Sequence, residues 1–318
     1  SPLFSEDSED KWKQAAEAAY DIIKQKTDLG LDLVPYPQIF NDVNNQKAEV
    51  ILYRPTGESG DFEKANFPIG VEGGKTSTCP TQNLMEAYDM KDGTPFVWNN
   101  QSNPYDNRDP RMKYTIVCNE MKWPVDPVEI WEGGTNGLPL QNATTTGYYL
   151  KKYVNNTISF EAGSTVTKKQ HNWVLFRYGE ILLNYAEAMI NAFHDPNYKD
   201  AVYNMSAREA VNQIRGRTNI SLPGFPSDIT EKDFVKRLKN ERRVELAFEG
   251  HRFWDVRRWK ELGQTANIYG VKITKNNEVI SYEKFLLETR AVTDNMYFYP
   301  IPNTERFKNP NLGQNPGW

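Results

Sequence analysis

Asn240-Glu-Arg-Arg-Val-Glu-Leu-Ala-Phe-Glu-Gly-His-Arg-Phe-Trp-Asp-Val-Arg-Arg-Trp259 packs five arginines, four carboxylates and four aromatic rings into twenty residues. An exposed helix does not need the rings, and an apolar core does not need the charges. Together they imply a helix pair buried against other elements, with its ions satisfying one another. Phe234, Val235 and Leu238, then Val244, Leu246, Ala247 and Phe248, recur at helical spacing. Thr230 stands as an N-cap with Asp233 three residues on, a short form of the capping box. Gly250 ends or kinks the helix before a second one through Trp259. Arg237 with Glu241, Glu249 with Arg252, Arg252 with Asp255, and Asp255 with Arg258 are spaced to meet on a helix surface. Glu245 and Glu249 could form a carboxylate site, and the arginines a surface for nucleic acid. Charges this evenly balanced pair internally, with arginine suited to bidentate contacts, so the block is expected to be a structural frame. Trp254 and Trp259 are expected in the core.

The chain of 318 residues can bury a sizeable core. Its net charge of −4 argues against a nucleic-acid partner, which calls for a basic excess. Aromatic residues make up 13%, including 17 tyrosines and 8 tryptophans, yet the mean hydropathy is −0.72. Carbohydrate-binding surfaces combine rings and polar groups in this way, and so do loop-rich proteins in general. Cys79 and Cys118 are too few for a disulfide framework or a four-thiolate zinc site, and a single bridge between them stays open. Only His171, His194 and His251 are available for acid–base work, with no nucleophile elbow and no metal-ligand spacing. No apolar run approaches transmembrane length.

The pattern predicts a helix over Glu9–Lys26 and irregular chain from Gly30 to His171. Within that stretch, extended pieces are expected at Glu49–Tyr53, Met112–Cys118 and Gly147–Val154, and a brief helix at Thr81–Met90. Helices are expected again over Trp173–Asn191 and Ser206–Arg217. Leu182, Tyr185, Ala186 and Met189 of the first should face Ala207, Ala210, Val211 and Ile214 of the second, as in a tetratricopeptide-type hairpin. Arg177 is spaced to pair with Glu180, and Glu187 should meet an arginine from Arg215, Arg217 or the charged block. Prolines around Tyr299–Pro302 and Asn309–Trp318 enforce an extended tail.

Several further signatures occur in one order: Pro80–Gly93, Asn103–Arg111, Thr146–Lys152, Arg177–Ala188, the charged block, Tyr-Pro-Ile-Pro at 299–302 and Asn-Pro-Gly-Trp at 315–318. In these the chain resembles the SusD/RagB family along essentially its whole length. The resemblance implies a predominantly α fold of the α/α superhelix type. In it, tetratricopeptide-like helical hairpins pack against a large irregular loop-rich region with a few short β strands. It divides the chain into a hairpin helix (1–30), a loop-rich ligand-binding region (31–170), helical hairpins (171–262) and an extended C-terminal tail (263–318). Family members begin with a lipoprotein signal and an N-terminal helical region, which the resemblance implies is missing here. The faces of Glu9–Lys26 and Trp173–Asn191 should then be covered by helices outside the chain. The implied role is a surface-exposed outer-membrane lipoprotein of Bacteroidetes, not an enzyme, that hands glycans, or in some branches peptides, to a SusC-like TonB-dependent transporter.

The resemblance carries no fixed ligand signature, so candidate residues follow from chemistry. Glycan binding needs flat exposed rings flanked by amide, arginine or acid groups. Two loops supply that mixture. One runs from Tyr53 and Arg54 through Phe62, Asn66, Phe67 and Glu72 to Lys75; the other is Phe96-Val-Trp98-Asn99-Asn100-Gln101. Trp131, ahead of Gly133-Gly134, and Trp123 are secondary candidates. Tyr105, Arg108, Asp109 and Arg111 are expected to fix a turn. No catalytic residue, metal ligand or cofactor is assigned, and calcium in the Asn/Asp-rich loops is left open. The alternatives are peptide binding on the same scaffold and a glycoside hydrolase, which needs carboxylates facing each other across a cleft.

Overall fold

The computed structural model describes residues 1–40, 48–100, 103–161 and 167–318. In chain order its helices are α1 (Glu9–Lys24), α2 (Asp61–Asn66), α3 (Gln82–Met85), α4 (Met112–Thr115), α5 (Tyr178–Phe193), α6 (Ala207–Arg215), α7 (Glu231–Glu245), α8 (Arg252–Arg258) and α9 (Asn303–Lys308). The strands are β1 (Val50–Ser59), β2 (Ile116–Val117), β3 (Tyr149–Leu150), β4 (Lys169–Arg177), β5 (Asn267–Asn276) and β6 (Val279–Thr289). They form three antiparallel pairs, β1 with β4, β2 with β3, and β5 with β6.

α5 organises the helical part. Its sequence is apolar on nearly every side, and apart from Ile181, Asn184, Asn191 and Phe193 its side chains are buried. A helix apolar all round must be surrounded. α1, α6 and α7 do this: Ala16 and Tyr20, Ala210 and Ile214, and Phe234 and Leu238 share one core with Leu182, Tyr185, Ala186 and Met189. Alanines at the contact let the helices approach closely, and Tyr20 stacks on Tyr185 with ring centres 5.4 Å apart. The face of α5 is thus covered from within the chain, contrary to expectation. α1 differs: Ala15 and Ala18 are exposed, and Trp12 and Ile22 are half-buried along a groove shared with Ile181 and Ala188. Local signals set the helix starts. Ser206 and Glu209 form a reciprocal capping box on α6, and Thr230 Oγ1 accepts from the Asp233 amide at 3.2 Å on α7.

Three segments differ from their expected form. Trp173–Arg177 is strand, not helix, because it pairs with β1, with Trp173 opposite Arg54 and Arg177 opposite Val50. Met112–Thr115 makes a helical turn before its chain extends into β2. Residues 267–289, expected as extended tail, form a hairpin closed by the two-residue loop Asn277-Glu278. Asn277 sits at φ +53°, a conformation asparagine tolerates in tight hairpin turns. Val271 and Ile273 of that hairpin enter a second core with Tyr148, Ile116 and Val117, which carries the irregular region.

The two halves are joined by buried ions. Glu245 of α7 accepts from Arg111 (2.8 Å), Arg177 (2.8 Å) and Arg217 (2.7 Å), three arginines from three distant segments. Arg111 also meets Asp109 (2.7 Å) and Glu241 (2.5 Å), while Arg215 reaches Glu241 at 2.7 Å. Arg177 and Arg217 share Glu49, and Lys152 and Arg177 share Glu249. These five cations and five carboxylates are essentially excluded from solvent. A neighbouring cluster pairs Glu187 with Arg258, and Asp255 with Arg242 and Arg258 at 2.8 Å each; Trp259 Nε1 donates to Glu187 at 2.7 Å.

The frame expected for the charged block is therefore present, but its partners are mostly remote in sequence. Of the locally spaced pairs, Asp255 with Arg258 forms. Glu249 instead meets Arg177 and Lys152, Arg252 donates to Gln264, and Arg237 donates to the Gly93 carbonyl. Arg177 passes over Glu180 for Glu49, Glu245 and Glu249. Trp259 is buried as expected, whereas Trp254 is 58% exposed and lies beside Phe253 and Tyr299. Its position on α8 points away from the face that Asp255 and Val256 bury.

Two outcomes are expected. Glu245→Ala leaves three buried guanidinium groups short of a counter-charge and should cost about 3–5 kcal/mol in chemical denaturation. The acid limb of stability should follow the carboxylates. Burial pushes Glu187, Glu241, Glu245 and Glu249 up, but the surrounding cations outweigh it and hold all four below the ordinary 4.5. A depressed folded pKa gives stability that is present above 4.5 and lost as pH falls. Burial lowers His251 to about 4, which acts in the same direction from 6.5 downward, while Asp89, pushed up to about 6 by burial, acts in the opposite one. Thermal midpoints should change little from neutrality to mildly acid pH and drop below pH 4.5.

Candidate ligand-binding surface

The first candidate loop divides between surface and core. Arg54 is exposed on β1 and Tyr53 is half-buried, opposite Trp173 and Val174 of β4. Phe62 is half-buried, with its ring 5.4 Å from His171 and 5.1 Å from Trp173, both edge-on. His171 Nε2 lies 2.9 Å from Glu63 beneath it. Asn66 and Phe67 are corrections to the expected site. Asn66 is 4% exposed and donates to the Phe62 carbonyl at 2.9 Å; Phe67 is 1% exposed, edge-on to Phe160. Glu63, Asn66 and Phe67 lie three and four residues apart, so the short turn of α2 sends all three inward. Neither ring face nor amide of this pair is open to a ligand.

Beyond α2 the loop folds onto Thr135 and Asn136. Asn136 Nδ2 donates to the Ile69 carbonyl at 2.6 Å, and its Oδ1 accepts from the Glu129 amide at 2.8 Å. Gly70, at φ +88°, has no room for a side chain, since a Cβ there would fall 2.3 Å from the Thr135 carbonyl oxygen. Trp131 is half-buried, with the Lys275 ammonium 4.5 Å from its ring centre. Gly134 makes its close approach to the Glu129 carbonyl, within its own loop. Trp123 is buried, with Lys151 over its ring at 4.9 Å.

The second loop stands apart. Trp98 is half-buried, edge-on to Phe96 at 6.4 Å, and its indole N–H donates to Asn100 Oδ1; Asn99 and Asn100 are exposed. Gln101 lies outside the described residues. Arg108 covers one face of Phe96 at 3.6 Å and donates to the carbonyls of Met85, Pro104 and Tyr88, the turn-fixing role expected of it. Phe62, Trp98 and Trp131 all rest against the second core, yet among the described residues no ring contact joins them to one another. Cys79 and Cys118 are both free thiols, so the bridge left open is not formed.

A cleft of about 490 Å³ that no sequence pattern singles out lies beside the second loop. Pro95 and Phe96 form one wall. α7 forms another with Lys236, Asn240 and Arg243, and Arg252 and Gln264 close one end. Its cationic side does leave a trace in the charged block and just ahead of it. Lys232, Lys236, Lys239 and Arg243 recur at four, three and four residues, a single cationic stripe. It runs on the side of α7 away from Phe234, Leu238, Glu241 and Glu245, which are buried.

The sequence profile of the SusD family matches residues 38–318. SusD-like protein P2 of Formosa agariphila is 29% identical over 163 residues, 49% of this chain and 28% of that protein. SusD-like protein P38 of the same organism is 30% identical over 150 residues, 45% of this chain and 24% of that protein. A SusD-like protein from Bacteroides fragilis superposes with a TM-score of 0.76 at 25% identity, covering 96% of this chain and 63% of that one. A SusD-like carbohydrate-binding protein from the same species superposes with a TM-score of 0.77 at 24% identity, covering 95% and 61%. The chain thus spans less than two thirds of the length of these relatives. With the profile matched over most of its length, the chain belongs to the SusD family.

Proposed function

We propose that this chain is part of a cell-surface glycan-binding protein that captures oligosaccharide or polysaccharide and delivers it to a SusC-like TonB-dependent outer-membrane transporter. The observation that carries this reading is the second loop. There a half-buried tryptophan is followed by two exposed asparagines, two residues beyond Phe96, which lines a cleft, on a scaffold of the SusD family. An indole edge offers an apolar sugar face a contact, and neighbouring amides orient hydroxyls. The carbohydrate-binding relative from Bacteroides fragilis supports the ligand class. Tyr53, Arg54 and Phe62 of the first loop and the secondary candidate Trp131 are further contacts in this proposal.

The transporter, a lipid anchor at the outer membrane, tetratricopeptide-like packing of α5 with α6, and an N-terminal segment completing the helical half belong to the same proposal. The exposed alanines of α1 are where such a segment would add buried surface. No described helix is long and apolar enough to cross a membrane. Binding without turnover is the role proposed. Peptide capture is the second reading, favoured by one feature: among the described residues β1 and β4 pair only with each other, and Ile51, Leu52, Leu175 and Phe176 are exposed on that ribbon. An extended peptide could add a strand there.

Affinity electrophoresis in gels cast with neutral and acidic polysaccharides tests the reading. Trp98→Ala should weaken retention roughly tenfold, the loss expected for one stacking contact. Failure of the intact protein to be retained by any polysaccharide, with peptide binding in its place, would transfer the role to the β1–β4 ribbon. Release of reducing sugar by the purified protein would contradict a binding role.

A further inference from the structure

The cleft walled by Pro95 and Phe96 has an uncompensated positive lining. Six cationic side chains face it, Lys232, Lys236, Arg237, Lys239, Arg243 and Arg252, against three carboxylates. Each of those carboxylates is already engaged. Glu86 takes Lys284 at 2.8 Å and Gln82 at 2.9 Å, and Glu261 takes Lys239 at 2.5 Å and Gln264 at 2.8 Å. Asp89 faces Arg215 at 3.6 Å and Arg237 at 3.8 Å.

The remaining cations have no such partner. Arg243 donates to the Asn83 carbonyl and Arg252 to the Gln264 amide oxygen, both at 2.8 Å, and among the described residues neither is ion-paired. Burial and the nearby Arg252 charge push Arg243 down to about 10, the mark of a guanidinium short of counter-charge. Lys232 and Lys236 stand exposed at the mouth, also without an ion pair among the described residues. The network arginines Arg111, Arg177, Arg215 and Arg217 all have carboxylate partners, and the buried Arg108, which has none among the described residues, is instead saturated by three carbonyls and the face of Phe96. The protein as a whole carries −4, so the cleft is not part of a generally basic surface.

We propose that this cleft binds an anionic substituent of the glycan, a sulfate ester or a uronate carboxylate, with Arg243 and Arg252 as its inner contacts and Lys236 at its mouth. The guanidinium fork matches the paired oxygens of either anion. Phe96, whose ring lines the same cleft, gives the sugar an apolar wall. The inference rests on the glycan-binding reading and narrows it to acidic glycans.

Affinity electrophoresis of the full chain against dextran, dextran sulfate and polygalacturonate tests it at constant ionic strength. Stronger retention by at least one of the two acidic polymers than by dextran is expected, and which one identifies the anion. Arg243→Gln should weaken that retention roughly tenfold. Lys236→Glu, on an exposed position, should weaken it in the same direction. Equal retention of dextran and both acidic polymers, or acidic retention unchanged in both variants, overturns the inference while leaving neutral-glycan binding in place. Equal retention of a single-stranded oligonucleotide also overturns it, since the cleft would then be a surface for any polyanion. Titration with glucose 6-sulfate alone separates the two layers: binding lost in Arg243→Gln supports the anion site even if every polymer fails, and such failure counts only against polysaccharide capture.

Discussion

Glu245 is the point on which the structure converges. Its carboxylate lies fully buried and receives guanidinium groups from Arg111, Arg177 and Arg217, which come from the irregular region, the end of β4 and the chain beyond α6. Three positive charges in one dry volume would repel strongly, and they are tolerable only because Asp109, Glu49, Glu241 and Glu249 complete the neutralisation. Long stretches of chain with little regular structure cannot rely on backbone ladders for position. Here that position is supplied by directional ion pairs, which fix segments more than a hundred residues apart against α7.

That arrangement gives α7 two functions on two faces. Its inner face, with Phe234, Leu238, Glu241 and Glu245, holds the helical core and the ion network. Its outer face, with Lys236, Asn240 and Arg243, borders the cleft next to Pro95 and Phe96. The loop that carries Trp98 is held in turn by Arg108, whose guanidinium covers Phe96 and donates to three carbonyls. Rigid positioning of a ring beside fixed cations suits capture of a ligand that is itself flexible, since less must be ordered on binding.

Much of this was legible in the amino-acid order, and the misses have physical causes. Helix starts at Thr230 and Ser206 follow from local capping chemistry, whereas α7 ends at Glu245, five residues ahead of the expected break at Gly250, and turns through Phe248 and Gly250 at positive φ. The identity of the charged block as a frame also followed, from its balance of charge. Its pairings did not, because an arginine selects a partner by position in space, and helical spacing supplies only nearby partners. Trp173–Arg177 was assigned to a helix because apolar runs carry no periodicity that separates strand from helix, and its pairing partner β1 lies over a hundred residues away. Phe67 and Asn66 carry suitable side chains for a site, but one turn of α2 buries them. Trp254 failed in the opposite direction, exposed on α8 although its neighbour Val256 is buried. The cleft does not follow from the charge balance of the block, because the two faces of α7 have different surroundings.

The most direct test of this account is a crystal structure of the protein with a bound acidic oligosaccharide. The account predicts an anionic group of the sugar within hydrogen-bond distance of Arg243 or Arg252, with a ring of the chain passing Phe96 and Trp98. Density for the oligosaccharide on the β1–β4 ribbon or around Trp131, with the cleft left unliganded, would contradict it.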